Sequence, residues 1–410
     1  MAEDRLNHAG GVFVPLKLMT KRMIGSLLIL LLLLTTPVGA SELEDPYANT
    51  MRARVLAVED RGPSEIFFET QWVTLEIYSG PLSGEIVTVE NHLSDNPVYD
   101  VPVKPGDRVL MVQETMLSGE VELYIIDYVR DMSIMWILGL FLLLLLLIGR
   151  WKGLKTIVTL AFTFFLIIRV LLPGMLKGYP PILLTVGVSL LVTFATIFLI
   201  DGINVKSISA VIGITGGLMA AGLVMFIAGS QVRLTGLSSE EAIMLMYIPQ
   251  DVSFDFRDLL FAGIIMGALG AVMDVGVSIA SAITEIHRVN PAVSSRQLMR
   301  SGMNVGRDIM TTMSNTLILA YTGAALPLML LFMAYDTSMI RIMNLDMIAT
   351  EILRALSGSI GLLLTIPLTV AATTLLLKRK GTGTGGAAKV TNATPGHSVG
   401  GDVSQNHQPE

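Results

Sequence analysis

From residue 132 onward the chain is a succession of long apolar runs separated by short polar ones: 132–149, 154–172, 180–200, 207–229, 259–282, 309–334 and 352–377. Each is near the ~20 residues that a helix needs to cross ~30 Å of hydrocarbon, so the pattern predicts seven membrane helices. Residues 41–131 read differently. Short alternating runs at 54–58, 72–78, 85–89, 108–112 and 122–126 are separated by turn signals at Gly80-Pro81, Gly84, Pro105-Gly106-Asp107 and Ser118-Gly119. Five strands of period two predict a small all-β barrel of OB or SH3-like type. Ahead of it, the apolar run Met23 to Leu34 follows Lys17, Lys21 and Arg22 and ends at the small residues Val38 and Ala40. Residues 1–40 therefore read as a signal peptide or a first membrane anchor, and Met19 would begin a tidier signal than Met1. Residues 381–410 lack apolar periodicity and predict a disordered tail. The expected fold is a polytopic α-helical membrane protein, with seven core transmembrane helices plus the N-terminal signal or anchor and a small extracytoplasmic β domain over 41–131.

Charge sets the expected orientation. With alternating spans, one side collects Lys17, Lys21, Arg22, Arg150, Lys152, Lys155, Lys206, Arg288, Arg296, Arg300, Arg307, Lys378, Arg379 and Lys380, while the loops between later spans on the other side carry Lys177, Arg233, Arg257, Arg341 and Arg354. The basic side is the cytoplasmic one, which puts 41–131 outside and the C-terminus in the cytoplasm. Pro327 and Pro367 fall within spans and predict kinks rather than breaks. In the loop 230–258, Ser238 and Glu241 have capping-box spacing, ahead of a short apolar helix over 242–248 that Pro249 would stop. Asp201, Gly202 and Asn204 are placed to cap the end of the span at 180–200.

Composition narrows the function. Apolar residues are 52% and charged residues 15% of the chain, against ~25% charged in soluble domains, and mean hydropathy is +0.65. Most of the chain thus belongs in lipid. The net charge of −6 argues against nucleic acid as a partner. The absence of cysteine removes disulfides and thiolate chemistry. There is no Walker loop, HExxH or GxSxG, and His8, His92, His287, His397 and His407 are scattered outside the spans. The reading expects no enzyme, cofactor or metal centre.

One segment carries candidate chemistry. Gly267, Gly270, Asp274, Ser278, Ser281 and Glu285 recur at three- and four-residue steps and share one helix face, with Ile264, Leu269, Val272, Val275 and Ile279 on the other. Asp274 lies near mid-span, where an ionised side chain costs at least ~2.5–3.5 kcal/mol, so the polar stripe is expected to turn inward. The next span repeats the device with Asn304, Asp308, Thr311, Asn315 and Thr322, at a depth that would let the two stripes face each other. The loop between them holds Glu285, Arg288, Arg296, Arg300, Arg307 and Asp308, with Ser294 placed to cap a short amphipathic helix ending at Met303. Arg307 beside Asp308 sits at the expected start of a span, where it could pair with Glu285 or Asp308 or contact phosphate. Gly213, Gly217 and Ala221 form a small-xxx-small ladder that predicts close helix packing, and Gly267 and Gly270 belong to the same class of contact.

The run 263–331 resembles the YibE/F-like family of bacterial membrane proteins. The resemblance is carried by Gly-Ala-Leu-Gly-Ala-Val-Met-Asp-Val (267–275), Ser278, Ser281, Glu285, Ser-Gly-Met-Asn-Val-Gly-Arg-Asp-Ile-Met (301–310) and Met-Ser-Asn-Thr-Leu-Ile-Leu-Ala-Tyr (313–321). It extends more loosely from the β domain to the last helix. It implies an exported N-terminal region and a multi-helix membrane part, and no particular substrate.

Two functions fit these residues. The first is a transporter-like permease for a small ion or solute. Its polar path would run between the spans 259–282 and 309–334, through Asp274, Ser278, Ser281, Glu285, Asn304, Arg307, Asp308 and Asn315, with Asp274 as the proton or cation site. The second is a membrane scaffold or sensor whose domain 41–131 binds a protein partner outside. Both have the lipid bilayer as their surroundings.

Overall fold

The computed structural model describes residues 50–62, 69–96, 98–115, 121–248 and 254–382. The expected signal or anchor, the stop at Pro249 and most of the expected tail lie outside these residues. The described chain is mostly helical, with a β barrel-like sheet near its start, and divides into two compact units at Val158 and Thr159.

The first unit contains β1 (Met51–Asp60), β2 (Glu69–Ser79), β3 (Ile86–Leu93), β4 (Arg108–Thr115) and β5 (Val121–Tyr128). All pairings are antiparallel, in the order β3-β2-β1-β4-β5. The predicted alternation is realised: Met51, Ala53 and Val55 point inward on β1 while Arg52 and Arg54 point out, and Val73, Leu75 and Ile77 do the same on β2. The sheet curls until β3 and β5, its two edges, approach each other. A buried amide clip closes one end. Gln71 Oε1 accepts from Asn91 Nδ2 at 3.2 Å and from the Val103 N–H at 3.0 Å, and Asn91 Nδ2 also donates to the Val101 carbonyl at 2.9 Å. An Arg52–Asp131 ion pair ties β1 to the first helix of the same unit.

The helices are α1 (Asp131–Leu166), α2 (Leu172–Leu176) after a π-helical turn, α3 (Pro181–Asp201), α4 (Val205–Val232), α5 (Glu240–Met244), α6 (Phe256–Val289), α7 (Ser295–Ala324), α8 (Leu326–Ala334), α9 (Met339–Met343) and α10 (Asp346–Thr382). By length and composition five helical stretches could cross a membrane, or six if the bent pair α7–α8 is one span. The sequence pattern gives seven because it splits 132–172 into two spans, where the single stretch counted here joins two helices across a kink. Arg150 alone leaves helical geometry, at φ 47° and ψ −124°. The chain nevertheless folds back there. A Cβ on Gly153 would collide with the Leu145 carbonyl, although residues eight apart on a straight helix are ~12 Å apart.

Several boundaries differ from expectation, each for a local reason. Pro327 accompanies a break rather than a kink: α7 ends at Ala324 and α8 begins at Leu326, bent by 57°. Proline at the second helical position loses no hydrogen bond, so the chain restarts there. Pro367, by contrast, lies within the continuous α10. Ser239, not Ser238, caps α5 by accepting from the Ala242 N–H at 3.2 Å. Ser294 caps a helix that runs unbroken to Ala324 instead of stopping at Met303, so Arg307 and Asp308 are interior to α7 and not at a helix start. Asn204 caps the helix after it: its Oδ1 accepts from the Ser207 N–H at 2.9 Å, and α3 ends at Gly202 with φ 77°.

The second unit is organised around α10, which packs on α4, α6 and α7. The Gly213, Gly217 and Ala221 ladder of α4 meets Thr369, Thr365 and Gly361 of α10, backbone against side chain or backbone. Small residues let these axes approach closely, and in lipid that close packing rather than water exclusion drives helix association.

Candidate functional site

α6 settles the orientation of the predicted stripe. Its buried face carries Phe261, Ile264, Ile265, Ala268, Leu269, Val272, Val275, Gly276, Ile279 and Ile283. Gly267, Gly270, Asp274, Ser278 and Glu285 lie on the opposite, exposed face, with Ser281 half-buried. The expectation that the stripe turns inward is therefore corrected. The large apolar face fits the α4 and α10 surfaces through contacts such as Gly276 on Ile214, where a side chain in place of the glycine would clash. Once that face is used, the stripe has to point away from the bundle.

α7 is built the same way. Leu298, Gly302, Gly306 and Leu317 are buried, while Asn304, Arg307, Asp308, Thr311, Asn315 and Thr322 are exposed. Gly302 lies against Ile283 of α6, and Gly306 lies near Ile279, with 3.6 Å from a would-be Cβ to the isoleucine side chain. These contacts fix the register of two antiparallel neighbours. Stepping along both helices from them sets Glu285 level with Arg300, Ser281 with Asn304, Ser278 with Arg307, Asp274 with Thr311 and Gly270 with Asn315. Gly267 borders α7 directly, with the Tyr321 hydroxyl 3.4 Å from where its Cβ would be, whereas a Cβ on Gly270 would meet nothing within 4 Å. Gly270 is thus no packing residue among the described residues, unlike Gly213 and Gly217. The two stripes run at matched levels on neighbouring helices, each turned away from the α6–α7 contact; they do not face each other.

Depth gives the arrangement its electrostatic weight. Asp274 is about 27 Å from Phe256 and about 22 Å from Val289 at 1.5 Å per residue. If α6 crosses a membrane, an ionised carboxylate at that level costs at least ~2.5–3.5 kcal/mol against lipid. Among the described residues its carboxylate makes no hydrogen bond or ion pair. Glu285 is held by Arg288, whose Nε and guanidinium nitrogen donate at 2.9 and 2.6 Å, so it is not the partner of Arg307. Arg307 donates instead to Asn304 Oδ1 at 3.3 Å, and Thr311 Oγ1 donates to the Arg307 carbonyl at 3.1 Å. No group of three or more His, Asp or Glu converges as a metal cage among the described residues.

Two model matches decide the relationship. A family model described as YibE/F-like protein matches residues 137–379, and one described as YibE/F family N-terminal domain matches 50–128. The chain belongs to the YibE/F-like family. The two family segments coincide with the helical region and with the five strands, and the segment with Asp274 and Asn315 falls inside the larger one. No curated protein and no solved structure matches.

The sequence reading missed two features of this YibE/F-like chain. The first is a row of hydroxyls on α10. Ser357, Thr365, Thr369 and Thr373 are fully buried, and their steps of four or eight on one face, opposite the ladder of α4, were the available signal. Thr365 and Thr373 donate to carbonyls four residues back at 2.8 and 2.7 Å. The second is a cavity of about 720 Å³ between α7, α8, α9 and α10, lined by methionines such as Met329, Met333, Met339 and Met343 together with Asp336 and Glu351. It exists because of the bend at Ala325, which the apolar pattern through 309–334 conceals.

Proposed function

We propose that the protein is a transporter-like permease that conducts a small ion or solute along the adjoining polar faces of α6 and α7. Asp274 serves as the proton or cation site, and Ser278, Ser281, Asn304, Arg307, Asp308 and Asn315 line the way. The observation that supports this is the register of the two helices: at level after level along them, a polar group or glycine on α6 stands level with a polar group on α7. Within one copy these residues are not buried between helices, as packing glue of that copy would be. In the same reading the helical region, with the arms of α1 crossing separately, spans a bacterial plasma membrane. The β domain is outside and the C-terminus cytoplasmic, by the distribution of Lys and Arg. Glu285, at the basic end of α6, marks the cytoplasmic mouth.

The test is complementation. A deletion strain is grown across metal, osmotic and pH stresses to find its phenotype, then supplied with the wild-type chain or with Asp274→Asn. The variant keeps size and hydrogen-bonding capacity but cannot hold a negative charge. It should reach wild-type levels in the membrane and fail to restore growth. Full restoration at equal expression would remove the path from consideration.

A second reading has its own support. Asp100 clamps the loop after β3, accepting from the Ser94 and Asn96 N–H groups at 2.9 Å each. The same loop presents Val98 and Tyr99, each 79% exposed. A tip held by these hydrogen bonds and carrying exposed apolar side chains suits a scaffold or sensor that binds a protein partner through this domain. Restoration by Asp274→Asn together with failure of a Tyr99→Ser chain would favour it.

A further inference from the structure

The exposed faces of α6 and α7 are the wrong chemistry for lipid. Elsewhere the helical surface has the right chemistry: the most apolar stretch of α1 holds no buried residue and presents Trp136, Leu140, Phe141 and Leu147. The stripe on α6 and its neighbour on α7 instead expose Asp274, Ser278, Asn304, Arg307, Asp308 and Asn315. Intramembrane polar faces of this kind turn toward protein or an aqueous cavity.

The charges on the two faces have opposite signs. On α6 the exposed acids are Asp274 and Glu285, and the only exposed base within its apolar span or beside it, Arg288, is taken by Glu285. On α7 the exposed bases are Arg296, Arg300 and Arg307, against the single acid Asp308. One surface that carries an acidic helix beside a basic one is complementary to itself under a two-fold rotation. About an axis normal to the membrane, depth is preserved and α6 of each copy meets α7 of the other. The register already described then sets Asp274 opposite Thr311 of the second copy, one helical turn from its Arg307, and Ser278 opposite that Arg307. Gly263 and Gly270 have open space where a Cβ would be, which leaves room for a helix backbone to come close.

We infer that a second copy of this chain covers the polar faces of α6 and α7, and that the path is enclosed between the two copies. The contents of the enclosure rest on the permease reading; the pairing itself does not. On the enclosed part of these faces each copy brings Asp274 and Asp308 against Arg307, and the net negative charge makes the enclosed space selective for cations over anions.

The chain has no cysteine, so single substitutions report without background. Gly270→Cys and Ser278→Cys on the stripe are compared in native membranes with Leu223→Cys on the exposed apolar side of α4, after treatment with a short bis-maleimide. Dimer-sized product should be at least tenfold greater for the two stripe positions than for Leu223→Cys. Differently tagged Ser278→Cys and Arg307→Cys chains, co-expressed, should cross-link to each other across copies. Thiol content is verified by labelling after denaturation, so stripe cysteines that are present yet no more cross-linked than Leu223→Cys overturn the inference. Cross-linking alongside full complementation by Asp274→Asn would keep the dimer and discard the transport path. Loss of complementation without cross-linking would do the reverse.

Discussion

Gly217→Ala adds one methyl group where α4 and α10 touch. The new Cβ would overlap the Thr365 hydroxyl and stand 2.8 Å from the Gly361 carbonyl, where ordinary contact begins near 3.4 Å. The threonine side chain can rotate aside. The carbonyl belongs to the helix backbone and cannot. The helices must therefore separate by about 0.6 Å at this level, and a gap of that size forfeits a quarter or more of each dispersion contact along the seam. Overpacking of this kind costs about 1–3 kcal/mol. The control is Gly187→Ala on α3, where a Cβ would meet nothing within 4 Å, so only helix propensity changes and stability should rise by about 0.5–1 kcal/mol. Thermal unfolding of the purified full-length protein in detergent, followed by an intrinsic fluorescence or aggregation readout, should separate the two variants by several degrees in opposite directions. Thr365→Ala should rescue Gly217→Ala only in part, because the Gly361 contact persists. If Gly217→Ala melted with Gly187→Ala, the close approach of α4 and α10 would not be what holds the helical unit together.

Other consequences can be measured independently. Arg150 holds a left-handed backbone at φ 47°, a conformation that costs about 1–3 kcal/mol for a side-chain-bearing residue, so Arg150→Gly should raise the detergent melting temperature; a fall would mean that the side chain matters more than the strain. Gln71→Ala removes the acceptor of the buried Val103 N–H and should cost about 1–3 kcal/mol, read as faster proteolysis in the loop 94–103 and its neighbours. The Ser94 backbone N–H, with help from its hydroxyl and the Asn96 N–H, holds the Asp100 carboxyl below the usual carboxylate range. A lowered pKa contributes stability above the unfolded value and loses it as pH falls through the folded one. Hydrogen-exchange protection at Ser94 and Asn96, corrected for intrinsic rate, should hold at neutral pH and collapse in acid below the usual carboxylate range, and Asp100→Asn should show the collapsed level at every pH.

The β unit was legible because its signal is local. Alternation at Met51, Ala53 and Val55, followed by glycine-rich turns, specifies a strand and its inward face together. Helix existence was legible for the same reason, as was the Gly213–Gly217 ladder. The facing of α6 was not. A helix with an apolar side and a small polar side has two plausible interiors in lipid, and the choice depends on the partner surfaces, here α4 and α10, whose Ile214 and Thr365 meet Gly276 from far along the chain in both directions. The break at Ala325 was hidden because Leu326 to Ala334 are apolar throughout; hydropathy records composition and is blind to direction. The helix caps differed by a residue or a whole helix wherever two hydroxyl or amide side chains competed for one start, as Ser238 and Ser239 do. For the polar stripes, sequence spacing gave the residues and their sharing of a face, and only the glycine contacts of α7 on α6 supplied their relative level.

The curl of the β sheet has a bearing on how copies of this protein can meet. A flat five-stranded sheet would end in two rows of unpaired N–H and C=O groups, each able to recruit a strand from another chain. Here β3 and β5 bend toward each other without pairing, so part of each edge faces the other strand. That shape leaves less of each edge free as a template for edge-to-edge association of the β units. Self-recognition between chains is left to the helices, where it can be specific in depth and in charge.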